Sequence, residues 1–184
     1  MEIQYPEIGI CGLSCRLCPR YHADCVSRCG GCKTESRTGA GCPFITCALK
    51  NKGIEFCWDC RESETCEKWA RHRELAKNID SFKCYQKLED DIAFVRKNGV
   101  EEFEKTQKTR NHLLREMLGE FNEGRSKSFY CIAATVMEIN ELEAALSEAR
   151  KHSMGGEIKE KSRVLHALLD EIARQRNYHL KLRR

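Results

Sequence analysis

The hydrophobic positions of this chain follow two regimes that meet near residue 61. Up to residue 60 the apolar residues show little periodicity, and all three prolines (Pro6, Pro19, Pro43) and most of the glycines lie there. Loops and knuckles are expected, with short strands at most. Beyond that point the spacing turns helical. Glu67 to Ile79 continues from Cys66, with Trp69 and Leu75 as inward positions. Tyr85, Leu88, Ile92 and Val95 recur at helical spacing until Asn98-Gly99 closes the segment. Phe103, Leu113, Leu114, Met117, Leu118 and Phe121 line a longer helix that ends in the turn residues of FNEGRS. Phe129, Ile132, Ala133, Val136, Ile139, Leu142 and Leu146 form the clearest amphipathic stripe, which Met154-Gly155-Gly156 breaks. Ile158, Val164, Leu165, Leu168, Leu169 and Ile172 form the last. The expected fold class is mainly α: a small irregular module over residues 1–66, packed on four or five helices of the region 67–184.

Cysteine usage sharpens that boundary. The chain has 13 cysteines, of which only Cys84 and Cys131 lie beyond Cys66. Residues 11–32 read CGLSCRLCPRYHADCVSRCGGC, which is C-x3-C-x2-C twice over. The start, MEIQYPEIGICG, has neither the basic nor the apolar stretch of a signal peptide. No run approaches the ~20 apolar residues that span a membrane. A cytoplasmic protein with no membrane partner is expected. Thiols stay reduced in that compartment, and dense cysteines there point to metal rather than disulfides.

Three C-x2-C pairs (Cys15/Cys18, Cys29/Cys32 and Cys57/Cys60) fall within the first 66 residues, in turns rich in Gly and Pro. A cysteine knuckle needs such turns so that backbone N–H groups can face the thiolates. The candidate metal ligands are Cys11, Cys15, Cys18, Cys25, Cys29, Cys32, Cys42, Cys47, Cys57, Cys60, Cys66 and Cys84, with His22 an alternative to Cys84. One partition joins Cys11, Cys15, Cys18 and Cys25; then Cys29, Cys32, Cys42 and Cys47; then Cys57, Cys60, Cys66 and Cys84. Cross-braced pairings satisfy the spacing equally well. Thiolate-only sites are anionic, so Lys, Arg and backbone N–H groups should face them. The metal read from this pattern is Zn2+, about two or three ions per chain. The short CGGC knuckle and the lack of a C-x2-C-x2-C-x3-C run favour it. An iron–sulfur cluster is the alternative, because it takes the same ligands and because Cys18-Pro19 matches the Cys-Pro that closes ferredoxin runs.

The motifs CGLSCRLCPRY, CGGCK and CPFITCALKNKGIEFCWDCRESETCEKW resemble an uncharacterised cysteine-rich domain-of-unknown-function family of bacteria and archaea. FNEGRSKSFYCIAATVMEINELEAAL in the helical half resembles its longer members, so the likeness covers nearly the whole chain. Gly39 stands where that family commonly has a cysteine, and Cys25 is an addition. The resemblance implies a metal-binding module, usually supposed to hold zinc, and implies no reaction.

Charge and the remaining motifs change the picture little. The net charge is +4, and residues 1–66 carry eight Lys/Arg against eight Asp/Glu. The end, ARQRNYHLKLRR, holds five basic residues and no acid. A nucleic-acid partner is possible through that basic C-terminus, but a solvated tail is the plainer reading, and an unknown protein partner is expected instead. Arg125, Ser126 and Lys127, in GRSKS at a predicted helix start, are a candidate anion site. Cys131 begins an apolar helix and reads as a buried structural thiol. His72, His112, His152, His166 and His179 lie on helices and read as surface or satisfied residues. C-x3-C-x2-C and MGGE also occur in radical-SAM enzymes, but those need an alternating strand–helix barrel. No Ser-His-Asp arrangement, carboxylate pair or phosphate-binding Gly-rich loop is visible. The leading role is therefore structural metal binding in an interaction protein. An electron-transfer or redox-sensing iron–sulfur protein comes second and a nucleic-acid-binding zinc module third, and whether the chain is an enzyme stays open.

Overall fold

A computed structural model describes residues 2–26, 28–34 and 42–184. The fold is mainly α, and among the described residues the only β pairing is an isolated antiparallel bridge between Ile8 and Ser14. The chain forms two compact units, Met1–Gln107 with Arg183–Arg184, and Lys108–Leu182.

The first unit holds the cysteine-rich segment. Short turns carry it: a 3-10 turn at Cys15–Leu17, a helical turn α1 (Pro43–Ile45) that runs into a π-helical turn at Thr46–Lys52, and a 3-10 turn at Cys57–Asp59. Then follow α2 (Glu67–Asn78), α3 (Leu88–Asn98) and the start of α4 (Val100–Glu120). The loops bury their few apolar side chains on these helices. Ile8 and Phe56 pack with Val95 and Phe103, while Ile10 packs with Ile45 and Ala48. Trp69, Ala76, Leu88 and Ile92 join α2 to α3. Gly12, at φ +107°, lets the CGLSC knuckle settle on this floor, since a Cβ there would meet Leu88, Ile92 and Trp58 at 3.2–3.3 Å.

Leu75 does not point inward as the pattern suggested; it is 52% exposed, and Ala76 is buried in its place. The reason is angular. At 100° per residue, Ala76 returns to the Trp69 face after about two turns, whereas Leu75 lies well round the helix. The basic terminus is partly anchored within this unit. Arg183 donates to both carboxylate oxygens of the buried Asp80 and to the carbonyls of Ala76 and Lys77.

The second unit contains the end of α4, then α5 (Lys127–Val136), α6 (Ile139–His152) and α7 (Ile158–Arg176). Its core is built from Leu114, Met117, Tyr130, Leu142, Leu146, Leu165 and Leu169, each at most 1% exposed. The single stripe expected from Phe129 to Leu146 is two helices. Glu138 breaks it: its side chain accepts from the backbone N–H of Glu141 while the Glu141 carboxylate accepts the Glu138 N–H. The carbonyls of Ala134 and Met137, left without helical partners at the break, accept from the buried Arg110 guanidinium. Cys131 is 1% exposed within this core, as expected of a structural thiol. Among the described residues no helix is long and apolar enough to cross a membrane.

A carboxylate ties α5 to α7. Glu123 accepts the Ser126 hydroxyl at 2.7 Å and the Ser162 hydroxyl at 2.6 Å. Burial opposes its charge, but these donors and a backbone N–H outweigh burial and bring its pKa down from 4.5 to about 2. The folded value lies below the unfolded one, so the stabilisation is present above pH 4.5 and is lost as pH falls toward 2. Discounted for solvent screening at this partly open position, it amounts to about 1–2 kcal/mol. Glu123→Gln should lower stability by that amount near about pH 6, and the difference should close at low pH. Denaturant melts followed by helical circular dichroism check this; a pH-independent difference would contradict it.

Candidate metal centre

Two sets of thiols emerge from the folded first unit. Cys11, Cys15, Cys32 and Cys42 form one neighbourhood. The Cys15 thiol donates to Cys32, which raises the pKa of Cys15 and lowers that of Cys32. Cys32 also accepts from the Ile10 N–H, and Cys11 accepts from the Leu13 N–H. Burial, with the nearby Cys32 and Cys42, pushes Cys11 up to about 11. Gly31, at φ +111°, makes this approach possible: a Cβ there would stand 2.9 Å from the Pro6 carbonyl and 3.7 Å from the Cys15 sulfur.

Two lysines face this set. Burial disfavours charge on Lys83, but the thiols of Cys11, Cys15 and Cys32 more than compensate, and its pKa is raised. Lys33, with no exposed side-chain area, donates to Glu55 at 2.8 Å and to the Tyr5 carbonyl at 3.1 Å, and lies 3.7 Å over the Phe56 ring. Its pKa is lowered by burial in spite of Glu55 and the nearby Cys32 and Cys15.

Cys47, Cys57, Cys60 and Cys66 form the second set. With Phe44 and Trp69 they line a pocket of about 30 Å³. Burial, then the neighbouring Cys11, Cys66, Cys47 and Cys60, pushes Cys57 up to about 12. Lys52 donates to the Cys60 sulfur at 3.2 Å and pairs with Glu62 at 2.8 Å. Cys66 holds the N-cap position of α2, at the positive end of the helix dipole, without making a cap hydrogen bond. The buried indole N–H of Trp69 has no partner among the described residues.

The remaining candidates are placed differently. Cys18, Cys25 and Cys29 lie in one loop, closed by backbone bonds from Tyr21 to Cys18, from Arg28 to Cys25 and from Cys29 to Arg20. Cys84 is raised to about 11 by burial, and its charged neighbours are Asp80, Arg183 and Asp91 rather than the Cys57 group. The His22 ring bonds the Arg16 carbonyl. Gly39 lies outside the described residues. The neighbourhoods differ from the sequential partition because the chain folds Ile10–Cys11 between the CGGC knuckle and Cys57, whose N–H donates to the Ile10 carbonyl at 2.9 Å.

The donor chemistry fits a soft, fourfold thiolate metal. Thiols that raise one another's pKa resist ionising together, and a divalent cation removes that conflict. The sets are not closed, however: among the described residues no three Cys, His, Asp or Glu side chains converge with metal-binding geometry.

The histidines divide. His112 and His152 sit beside Glu116 and Glu148. His72, expected to be on the surface or satisfied, is wedged between Phe44 and Tyr85, with its Nε2 buried and without a partner among the described residues. Its pKa is lowered by burial and then by Lys83.

Of the candidate anion residues, Ser126 occupies the N-cap of α5 but makes no cap bond. Its hydroxyl instead meets Glu123, Ser162 and His166. Arg125 and Ser126 line a cleft with Lys159 and Arg163; Lys127 is not part of that lining. Lys159, Ser162, Arg163 and His166 recur at i, i+3, i+4 and i+7 on α7, a polar face that the sequence displays but that only folding brings to Ser126.

No protein-family profile, curated protein or solved structure matches this chain.

Proposed function

We propose that this is a zinc-binding protein whose two thiol sets brace the cysteine-rich unit so that it can engage a protein partner. The observation that carries the reading is the clustering of Cys57 with Cys47, Cys60 and Cys66 around an ion-sized pocket, with the Lys52 ammonium on the Cys60 sulfur. Cys11, Cys15, Cys32 and Cys42 would hold a second ion in the same way. Zinc supplies a fixed tetrahedral crosslink and no redox step. Lys33, Lys83 and Lys52 offset the negative charge that a four-thiolate site leaves behind, and backbone N–H groups orient the sulfurs. The interaction role is supported by exposed apolar side chains on the same unit, Leu75, Ile79 and Phe82, at 48–52% exposure. The anchoring of Arg183 on Asp80 takes one cation out of the basic terminus, which weakens the nucleic-acid reading.

The test is the metal content of anaerobically purified protein, because a lost iron–sulfur cluster can be replaced by zinc in air. About two zinc ions per chain, one for each thiol set, with little iron and no band near about 400 nm, is expected. Stoichiometric iron and acid-labile sulfide, with a band that bleaches on reduction, would move the protein to the redox class.

A further inference from the structure

The second unit carries a cleft of about 580 Å³ that has no part in the thiol chemistry. Its floor is a polar network. Ser126 and Ser162, at 3% and 4% exposure, both reach the Glu123 carboxylate, and their oxygens are 3.1 Å apart. The His166 Nε2 lies 2.7 Å from the Ser126 oxygen. The Tyr130 hydroxyl is shared between the Phe121 carbonyl at 3.1 Å and Ser162 at 3.2 Å. The ring of His166 stacks on Phe129, with centroids 4.0 Å apart.

Proton counting fixes what this floor can do. Each serine has one hydroxyl proton, and both protons point at the ionised Glu123. His166 must then carry a proton on Nε2 to bond the Ser126 oxygen. Ser126 is thus held as part of the floor rather than poised as a nucleophile whose proton a neutral histidine would accept. The arrangement resembles a catalytic triad in composition but not in direction, since the carboxylate holds the serine and not the imidazole.

The rim is cationic. Arg125, Lys159 and Arg163 are exposed around the opening, and none has a carboxylate partner among the described residues. Against these three cations the lining has one carboxylate, Glu123, whose charge is directed at two hydroxyls beneath the surface. A concave site with a net positive rim selects a compact anion, and two guanidiniums can each chelate phosphate oxygens in bidentate fashion. The cleft exceeds the size of an inorganic ion and falls in the range of small-molecule sites, about 300–1,000 Å³.

We propose that this cleft binds a small phosphomonoester, its phosphate held by Arg125, Lys159 and Arg163 above the Ser126–His166 floor. The function is binding, not hydrolysis, because the floor offers no activated nucleophile. It is independent of the metal reading, since every residue involved lies within Lys108–Leu182.

Calorimetric titration of the full chain with inorganic phosphate, glycerol 3-phosphate and a single-stranded RNA oligonucleotide tests the proposal. Glycerol 3-phosphate should bind saturably and at least as tightly as phosphate. The double variant Lys159→Ala/Arg163→Ala should weaken it about 10-fold or more, with the helical melting transition unchanged. Arg125→Ala, on the loop before α5, should weaken it on its own and serves if the double variant melts early. Lys127→Ala should bind as the parent does. No saturation by about 10 mM of either small probe would overturn the assignment. So would parental affinity in the double variant and in Arg125→Ala, binding of phosphate without glycerol 3-phosphate, or binding of the RNA alone.

Discussion

Removing metal with a strong chelator and a reductant is expected to unfold the cysteine-rich unit while the helical circular dichroism of the second unit survives. The asymmetry follows from where each unit finds cohesion. Within Lys108–Leu182, residues such as Leu114, Leu142, Leu165 and Leu169 are 0% exposed on long helices and hold one another without help. In the first unit the loops contribute Ile8, Ile10, Leu17, Ile45, Ala48 and Phe56, which are too few to order the cysteine-rich chain around them. Structural zinc supplies about 10–16 kcal/mol per site in small modules, and its loss exceeds what such a core retains. Trp58 and Trp69 both pack in this unit, so their fluorescence should shift to the red as backbone signals from residues 11–66 collapse. An ordered first unit after complete metal loss would contradict the account.

The second large effect concerns individual cysteines. Cys57→Ser and Cys32→Ser should each release about one zinc ion per chain and destabilise the first unit, because each removes a thiolate from a different set. Cys131→Ser should keep full zinc content. Cys131 is 1% exposed, so exchanging its sulfur for a hydroxyl should cost the second unit about 1–3 kcal/mol. Zinc analysis of the three purified variants reads the difference directly. Equal zinc loss from Cys131→Ser would overturn the division of the chain into metal-holding and core thiols.

The sequence displayed the helices best where apolar residues recur without interruption. Leu88, Ile92 and Val95 mark α3, and Leu165 and Leu169 mark α7, because one buried face imposes its period on the residues that fill it. It failed at the joint between α5 and α6. There the apolar stripe continues across Met137, and only the Glu138/Glu141 capping box and the Arg110 guanidinium, which comes from another helix, reveal the break. Leu75 is a second such place, since its hydrophobicity suggests an inward position while the helical angle gives that position to Ala76.

The thiol sets show the same division between local and long-range information. The knuckles were legible, since Gly12 and Gly31 advertise the backbone conformations that Cys11, Cys15 and Cys32 require. The grouping was not, because Cys32 reaches Cys11 and Cys15 through a bond from the Ile10 N–H that no spacing rule encodes. Lys33, Lys83 and Lys52 were expected as a class but not as positions. Likewise GRSKS drew notice to Arg125 and Ser126, while Lys159 and Arg163 on α7 reach the cleft only through the fold.

X-ray absorption at the zinc edge of the anaerobically purified full chain tests the central claim most directly, because it reads the donor atoms themselves. Two all-cysteine sets predict a shell of about four sulfurs at about 2.3 Å and no lighter ligand. A shell dominated by nitrogen or oxygen near about 2.0–2.1 Å would contradict the thiolate assignment.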